Sequence, residues 1–96
     1  MHDPNQHNLK DLFDQIIKQN KLKPKLYEAK LRDAWPTLMG SLIDQYTNDI
    51  SIKKQTLFLR ITSAPLKNEF MMSKQQFIQL INKELGEDYI NEIVIR

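Results

Sequence analysis

Hydrophobic residues recur every three or four positions in three parts of the chain, a spacing typical of amphipathic helices. We predict helices over about 9–17, 25–45 and 63–85. Ser63 is suited to cap the third helix, because its hydroxyl can accept a hydrogen bond from an N–H of the first turn. Gly86 is suited to end it, because glycine readily adopts the left-handed conformation after a helix.

Prolines and a glycine interrupt this helical pattern. We expect Pro24 to end the first helix, because proline disfavours helical geometry in the residue before it. We expect Pro36 to break or restart the second helix, because proline is poorly tolerated inside a helix. Gly40 lies in the same segment, where glycine costs roughly 1 kcal/mol relative to alanine. A close backbone approach, such as that of a helix to a sheet, would explain this glycine.

From Thr47 the apolar period changes to two, which predicts β-strands. A hairpin connection over 53–56 would join the first two strands, and the apolar end of the chain, 89–96, predicts a third. In the first strand we expect Ile50 and Ile52 to share a face. In the second we expect Leu57, Leu59 and Ile61 on one face and Phe58, Arg60 and Thr62 on the other.

The predicted order of elements is ααββαβ, which gives an α+β fold in two layers. We expect a three-stranded sheet with the helices packed on one face. This order is similar to that of KH-type nucleic-acid-binding domains. We expect residues 1–7 to be a frayed end and residues 8–96 to form a single domain. Trp35 is expected to be a core anchor.

The 96 residues carry a net charge of +2 and no cysteine, which excludes disulfides and thiolate metal sites. The N-terminus lacks the pattern of a signal peptide, and no apolar run approaches the ~20 residues of a membrane span. We therefore expect a cytoplasmic protein without membrane attachment.

The sequence offers little support for an enzyme. It contains neither a G-x-x-x-x-G-K-[ST] nor a G-x-G-x-x-G motif, and its two glycines lie 46 positions apart. His2 and His7 both fall in the expected tail, so no histidine is available in the core to activate a serine. We predict no catalytic residues, no metal, no cofactor and no small-molecule substrate.

The charge is unevenly distributed, and this favours nucleic-acid binding. Six basic residues and one acidic residue lie between Lys18 and Arg32, and five basic residues and one acidic residue lie between Lys53 and Lys74. Lysines on turns suit phosphate contacts, and Phe58 or Tyr46 could stack on a base unless packing covers it. The candidate nucleic-acid-binding residues are Lys18, Lys21, Lys23, Lys25, Lys53, Lys54 and Arg60.

Polar residues of the third helix are candidates for contact with a protein partner. These are Lys67, Asn68 and Lys74, and facing solvent is the alternative for them. A KH domain grips single strands with a G-x-x-G loop, which this chain lacks. Nucleic acid would therefore have to bind another surface, through its backbone rather than by base readout.

Several residues in order carry a family resemblance: Trp35, Gly40 and Thr47, then the segments 57–63 and 66–70, and finally 93–96. This pattern resembles the DciA family of bacterial replicative-helicase loaders. The resemblance implies a KH-like, non-enzymatic adaptor that interacts with the replicative helicase and with single-stranded or duplex DNA. The DNA-contact candidates come from charge, and not from the family pattern.

Two other interpretations remain open. The chain could be a protein-interaction module without a nucleic-acid role, in which the charged residues are merely solvated. It could also be an RNA-binding KH-like module, which the missing G-x-x-G loop disfavours. Dependence of binding on salt separates the first alternative from DNA binding.

Overall fold

A computed structural model of the protein describes residues 9–13 and 22–96. Residues 9–13 are helical, as predicted. The expected frayed end 1–7 and the remainder of the first predicted helix lie outside the described residues.

Four helices and three strands follow in the range 22–96. The order of helices and strands is ααββααβ. Their bounds are α1 Leu22–Met39, α2 Ser41–Tyr46, β1 Thr47–Lys53, β2 Thr56–Ile61, α3 Ala64–Met72, α4 Lys74–Leu85 and β3 Glu92–Ile95.

The strands form one mixed sheet in the order β1-β2-β3. β1 and β2 are antiparallel and are joined by the two-residue turn Lys54-Gln55. β2 and β3 are parallel, so α3 and α4 form the crossover between them. Helices and sheet form the predicted α+β fold, with the helices packed on the sheet.

The core lies between the helices and one face of the sheet. Leu31 and Trp35 of α1 are 0% and 1% exposed, which confirms Trp35 as a core anchor. The Trp35 Nε1–H donates to Thr47 Oγ1 at 3.0 Å, so α1 is also tied to the start of β1. Burying a large apolar side chain contributes about 1.5–3 kcal/mol. The sheet residues in this core are Ile50, Ile52, Leu57, Leu59, Ile61 and Ile93.

Two predicted helices are each divided into two. Gly40 separates α1 from α2 and has φ +90°, a conformation that side chains disfavour. No atom lies within 4 Å of a Cβ placed there, so the predicted close approach is wrong and the turn explains the glycine. Ser73 separates α3 from α4, and its N–H is shared between the carbonyls of Glu69 and Phe70.

The predicted effects of two prolines are wrong. Pro36 lies inside α1, which continues to Met39. A proline removes only one N–H donor, and the burial of Leu31 and Trp35 holds the helix against the sheet. Pro24 lies in the first turn of α1, where the missing N–H costs little, so α1 begins at Leu22 and not at Lys25.

The ends of the crossover follow the sequence more closely. Ser63 Oγ accepts a hydrogen bond from the N–H of Leu66, and Gly86 has the left-handed φ of +86°. Both predicted caps are confirmed. β3 is shorter than the predicted 89–96, because the buried side chain of Asn82 binds the preceding backbone. Asn82 donates to the carbonyl of Ile90 and accepts from its N–H, each at 2.8 Å.

Candidate nucleic-acid interface

A cleft of about 420 Å³ separates the start of α1 from the β1–β2 hairpin. It brings together three of the predicted nucleic-acid contacts, which come from two distant parts of the sequence. We call it the basic cleft. Its lining residues are Pro24, Lys25, Glu28, Ser51, Ile52, Lys53 and Lys54.

Local backbone structure presents these lysines to solvent. Lys25 lies in the first turn of α1, and 78% of its side chain is exposed. Lys53 ends β1, and Lys54 takes the left-handed φ of +57° in the turn. Neither hairpin lysine forms an ion pair with a described residue. The positive end of the α1 dipole lies at the same cleft, so the potential there favours an anion such as phosphate.

Glu28 forms the floor of the cleft and fixes its geometry. Its side chain is 6% exposed, and Oε2 accepts a hydrogen bond from the N–H of Ile52 at 2.8 Å. Oε1 lies 3.7 Å from Arg32 Nη2, which donates to the carbonyl of Ile50 at 2.7 Å. These groups face outward from the edge strand β1, so α1 occupies hydrogen-bonding positions that another strand could use.

Sequence reasoning missed the role of Glu28. The available signal was the i,i+4 spacing of Glu28 and Arg32, which indicates an ion pair on one side of a helix. That spacing gives no hint that both side chains reach the backbone of a strand some twenty residues further on. The pair therefore supports one wall of the basic cleft, rather than acting as a solvated surface pair.

Lys23 does not line the basic cleft. Its Nζ lies 2.8 Å from Glu87 Oε2, and it stands over the rings of Tyr27 and Tyr89 at 5.7 and 5.3 Å. The Tyr27 hydroxyl donates to the same carboxylate. Lys23 thus ties the start of α1 to the loop after α4, and its charge is compensated there. We call these four residues the Lys23 tie.

The pKa values in this tie are shifted. Hydrogen bonds from Lys23 and Tyr27 lower the pKa of Glu87, because they favour its ionised form. Burial, followed by the hydrogen bond to Glu87, raises the pKa of Tyr27 to about 12. Burial also raises the pKa of Tyr89. Glu87 is therefore ionised and the two tyrosines are protonated at neutral pH.

The other predicted nucleic-acid contacts lie elsewhere. Arg60 is exposed on β2, beside Phe58 on the sheet face opposite the core. Lys18 and Lys21 lie outside the described residues. The structure therefore brings Lys25, Lys53 and Lys54 together, and places Lys23 and Arg60 at two other positions.

The predicted partner contacts lie on the two helices of the crossover. Asn68 of α3 is exposed, and Lys67 is half-buried. Lys74 begins α4, and its Nζ lies 3.2 Å from Glu92 Oε1. The hydrogen bond from the N–H of Ile93, and then the contact with Lys74, lower the pKa of Glu92.

A groove of about 240 Å³ lies beside these partner candidates. It runs between α2, α3 and α4, and Leu66, Glu69 and Phe77 contribute to its walls. Met71 and Met72 nearby on α3 are 54% and 86% exposed. Exposed methionines on a helix are suited to contact with a partner, because their side chains adapt to an apolar surface.

The described residues contain no group of three or more metal-ligating side chains. His2 and His7 lie outside them. Over the same residues, none of the helices combines the length and hydropathy that a bilayer crossing requires.

Comparison with known protein families identifies the family of this chain. The family model described as "Dna[CI] antecedent, DciA" matches residues 8–95, and this range includes the basic cleft and the whole sheet. No curated protein matches the chain. The family match confirms the resemblance seen in the sequence. The chain therefore belongs to the DciA family, and this membership implies a role in loading of the replicative DNA helicase.

Proposed function

We propose that this chain is a non-enzymatic accessory factor of DNA replication in the cytoplasm. It binds DNA, contacts the replicative helicase and assists loading of the helicase onto single-stranded DNA. The observation that carries the DNA-binding part is the convergence of Lys25, Lys53 and Lys54 on the basic cleft. The helicase part rests on the family.

The chemistry of the basic cleft suits a phosphodiester backbone. Three ammonium groups and a helix N-terminus surround a concave surface, while the buried carboxylate of Glu28 is already bound to Ile52 and lies near Arg32. Lysine contacts with phosphates give affinity that tolerates any sequence and weakens with salt. Lys18, Lys21 and Arg60 are proposed as further phosphate contacts, whereas the charge of Lys23 is compensated by Glu87.

Fluorescence anisotropy of a labelled single-stranded DNA tests this proposal. We expect binding in low salt that weakens steeply as salt is raised. Lys53→Glu should weaken binding by roughly tenfold, because it replaces an attraction with a repulsion. Lys30→Glu is the matched control: Lys30 is exposed on α1 but does not line the cleft, so its effect should stay within about twofold.

Two outcomes would contradict this part of the proposal. Absence of binding in low salt would favour the protein-interaction module, in which the lysines are only solvated. Equal losses for Lys53→Glu and Lys30→Glu would show that net charge matters and that the basic cleft does not. RNA of the same length, bound more tightly than DNA, would favour the RNA-binding alternative.

We propose that the helicase contacts α3 and the start of α4, at Lys67, Asn68 and Lys74. The exposed methionines Met71 and Met72 support this surface, because they lie on the same helix, α3. The experiment is biolayer interferometry against the purified replicative helicase of the same organism. Asn68→Arg should weaken binding by about tenfold if its site is buried in the complex.

Gln79→Arg provides the control for the helicase surface. Gln79 is exposed on α4 and lies outside α3. Its replacement by arginine changes size and charge in a similar way to Asn68→Arg. We expect this variant to bind as the wild type does. Equal binding by Asn68→Arg and the wild type would exclude Asn68 from the interface. Failure of the wild-type chain to bind the helicase would remove direct contact from the proposal.

A further inference from the structure

One face of the sheet packs against the helices, and the opposite face carries an aromatic ring that the core does not use. In this open face, Phe58 of the central strand stands between its cross-strand neighbours Ser51 and Val94. Phe58 is half-buried but is not among the residues that pack against the core. Val94 is 36% exposed, and the small side chain of Ser51 leaves space beside the ring.

Basic side chains surround this ring. The guanidinium carbon of Arg96 lies 5.2 Å from the Phe58 ring centroid, and Arg60 follows Phe58 on the same face of β2. Neither arginine forms an ion pair with a described acidic residue. The acidic residues of this face have cations close by. Asp49 lies opposite Arg60 across the sheet and 3.9 Å from Arg32, and Glu92 lies 3.2 Å from Lys74. The open face therefore favours an anionic ligand with a flat apolar part.

The open face is continuous with the basic cleft. Ser51 and Lys53 of β1 line the cleft, and Ser51 is also the direct neighbour of Phe58 across the sheet. Adjacent strands are about 4.8 Å apart, so a nucleic-acid strand bound at Lys53 reaches Phe58 within one or two nucleotides. A path thus leads from the cleft over the edge of β1 to the ring.

We propose that the open face is a stacking site for one base of a single strand, with Phe58 as the platform. The inference rests on the proposed DNA binding and adds a contact that distinguishes single strands from duplexes. A base takes the place of the Arg96 guanidinium over the ring, and Arg96 and Arg60 then contact the flanking phosphates. Every base has a π-face, so the site tolerates any sequence, while bases inside a duplex are inaccessible.

The test compares three labelled probes of equal length in anisotropy: a single-stranded DNA, the same backbone with abasic sites, and a duplex. We expect the wild type to prefer the base-bearing single strand. Phe58→Ala should weaken binding of that probe by roughly 5- to 150-fold, the range of base–aromatic stacking, and leave the abasic probe unchanged. Phe58→Tyr keeps the ring and should bind within about twofold of the wild type.

Val94→Ala is the matched control, because it removes an apolar side chain from the same face without removing a ring. It should have little effect on any probe. A second readout uses 2-aminopurine in the strand, whose fluorescence falls on stacking. We expect this quenching with the wild type and Phe58→Tyr, and its absence with Phe58→Ala.

The outcomes separate the two proposals. Equal affinity of the wild type for the base-bearing and abasic probes, or an equal loss of both with Phe58→Ala, would overturn stacking and leave the basic cleft intact. Unchanged binding and quenching with Phe58→Ala would do the same. Failure of the wild type to bind any probe in low salt would overturn both proposals.

Discussion

Lys23 and Lys25 stand two residues apart in the first turn of α1, yet their ammonium groups have different surroundings. Lys23 is 2.8 Å from Glu87 and stands over two tyrosine rings. Lys25 is 4.0 Å from Glu28, whose oxygens already serve Ile52 and lie near Arg32. Lys23 is therefore held in the fold by the carboxylate of Glu87. Lys25 remains available for a ligand, because the carboxylate of Glu28 already has other partners.

The two carboxylates near these lysines, Glu28 and Glu87, also have different surroundings. Glu28 is buried and binds the backbone of a neighbouring strand, whereas the side chain of Glu87 is 42% exposed and joins two surface segments. Water screens an exposed ion pair, and such pairs contribute about 0.2–1 kcal/mol. A buried carboxylate that satisfies a backbone N–H contributes more, because its removal leaves that group without a partner.

The largest effect is expected from breaking the wall of the basic cleft. Glu28→Ala should lower the free energy of unfolding by about 1–3 kcal/mol, because the N–H of Ile52 loses its acceptor and Arg32 loses one of its partners. Urea denaturation measures this as a lower midpoint. Asp33→Ala, an exposed change on the same helix, should alter stability by less than about 0.5 kcal/mol. A similarly small loss for Glu28→Ala would mean that Glu28 does not support the cleft.

A smaller effect is expected from removing the charge of each lysine in turn. Lys23→Gln removes the ion pair and the cation–π contacts, so stability should fall by about 0.5–1 kcal/mol. Lys25→Gln should leave stability within about 0.3 kcal/mol, because its described charge contact with Glu28 is 4.0 Å long and the Lys25 side chain itself is 78% exposed. Thermal unfolding at neutral pH measures the stabilities of the two variants. Equal losses of stability for Lys23→Gln and Lys25→Gln would contradict the difference between the two lysines.

The smallest effect is the pH dependence of the Lys23 tie. The folded pKa of Glu87 is lowered, so its contribution is present above the unfolded pKa of about 4.3 and is lost as pH falls through the folded value. Glu87→Gln should therefore be less stable than the wild type at pH 7, by about a few tenths of a kcal/mol after solvent screening. In strong acid the two should be equal.

A second background provides the control for the pH measurement. In Lys23→Gln the main cause of the lowered Glu87 pKa is absent, so adding Glu87→Gln to that variant should cost less stability at pH 7 than it does in the wild type. Urea midpoints at several pH values give all four stabilities. A difference that persists unchanged in acid would mean that packing, rather than charge, accounts for the Glu87 contribution.

Much of the fold was predictable because it follows from local patterns. Alternation placed Ile50 and Ile52 on the buried face, and cap chemistry identified Ser63 and Gly86. A break in the second helix was predicted at Pro36 but lies at Gly40, and the division of the third helix at Ser73 was not predicted. Ser73 has no sequence signal for a break, and the burial of Trp35 outweighs the breaking tendency of the adjacent proline.

The candidate interface was predictable only in part. Charge density identified Lys25 and Lys53, because lysines on turns are exposed for local reasons. The partner that compensates Lys23 is Glu87, 64 positions further along the chain, and no local pattern connects them. Glu28 likewise acts on a strand formed by a distant segment. Such long-range polar contacts depend on the tertiary packing and decide which basic residues remain uncompensated.

The most direct test of the account is the salt dependence of DNA affinity for the wild type, Lys25→Gln and Lys23→Gln. We expect Lys25→Gln to lower the slope of log Kd against log salt by about 0.7, the value for one phosphate contact on a single strand. Lys23→Gln should keep the wild-type slope. Equal slopes for all three proteins, or a loss confined to Lys23→Gln, would contradict a basic cleft in which Lys25 contacts DNA and Lys23 does not.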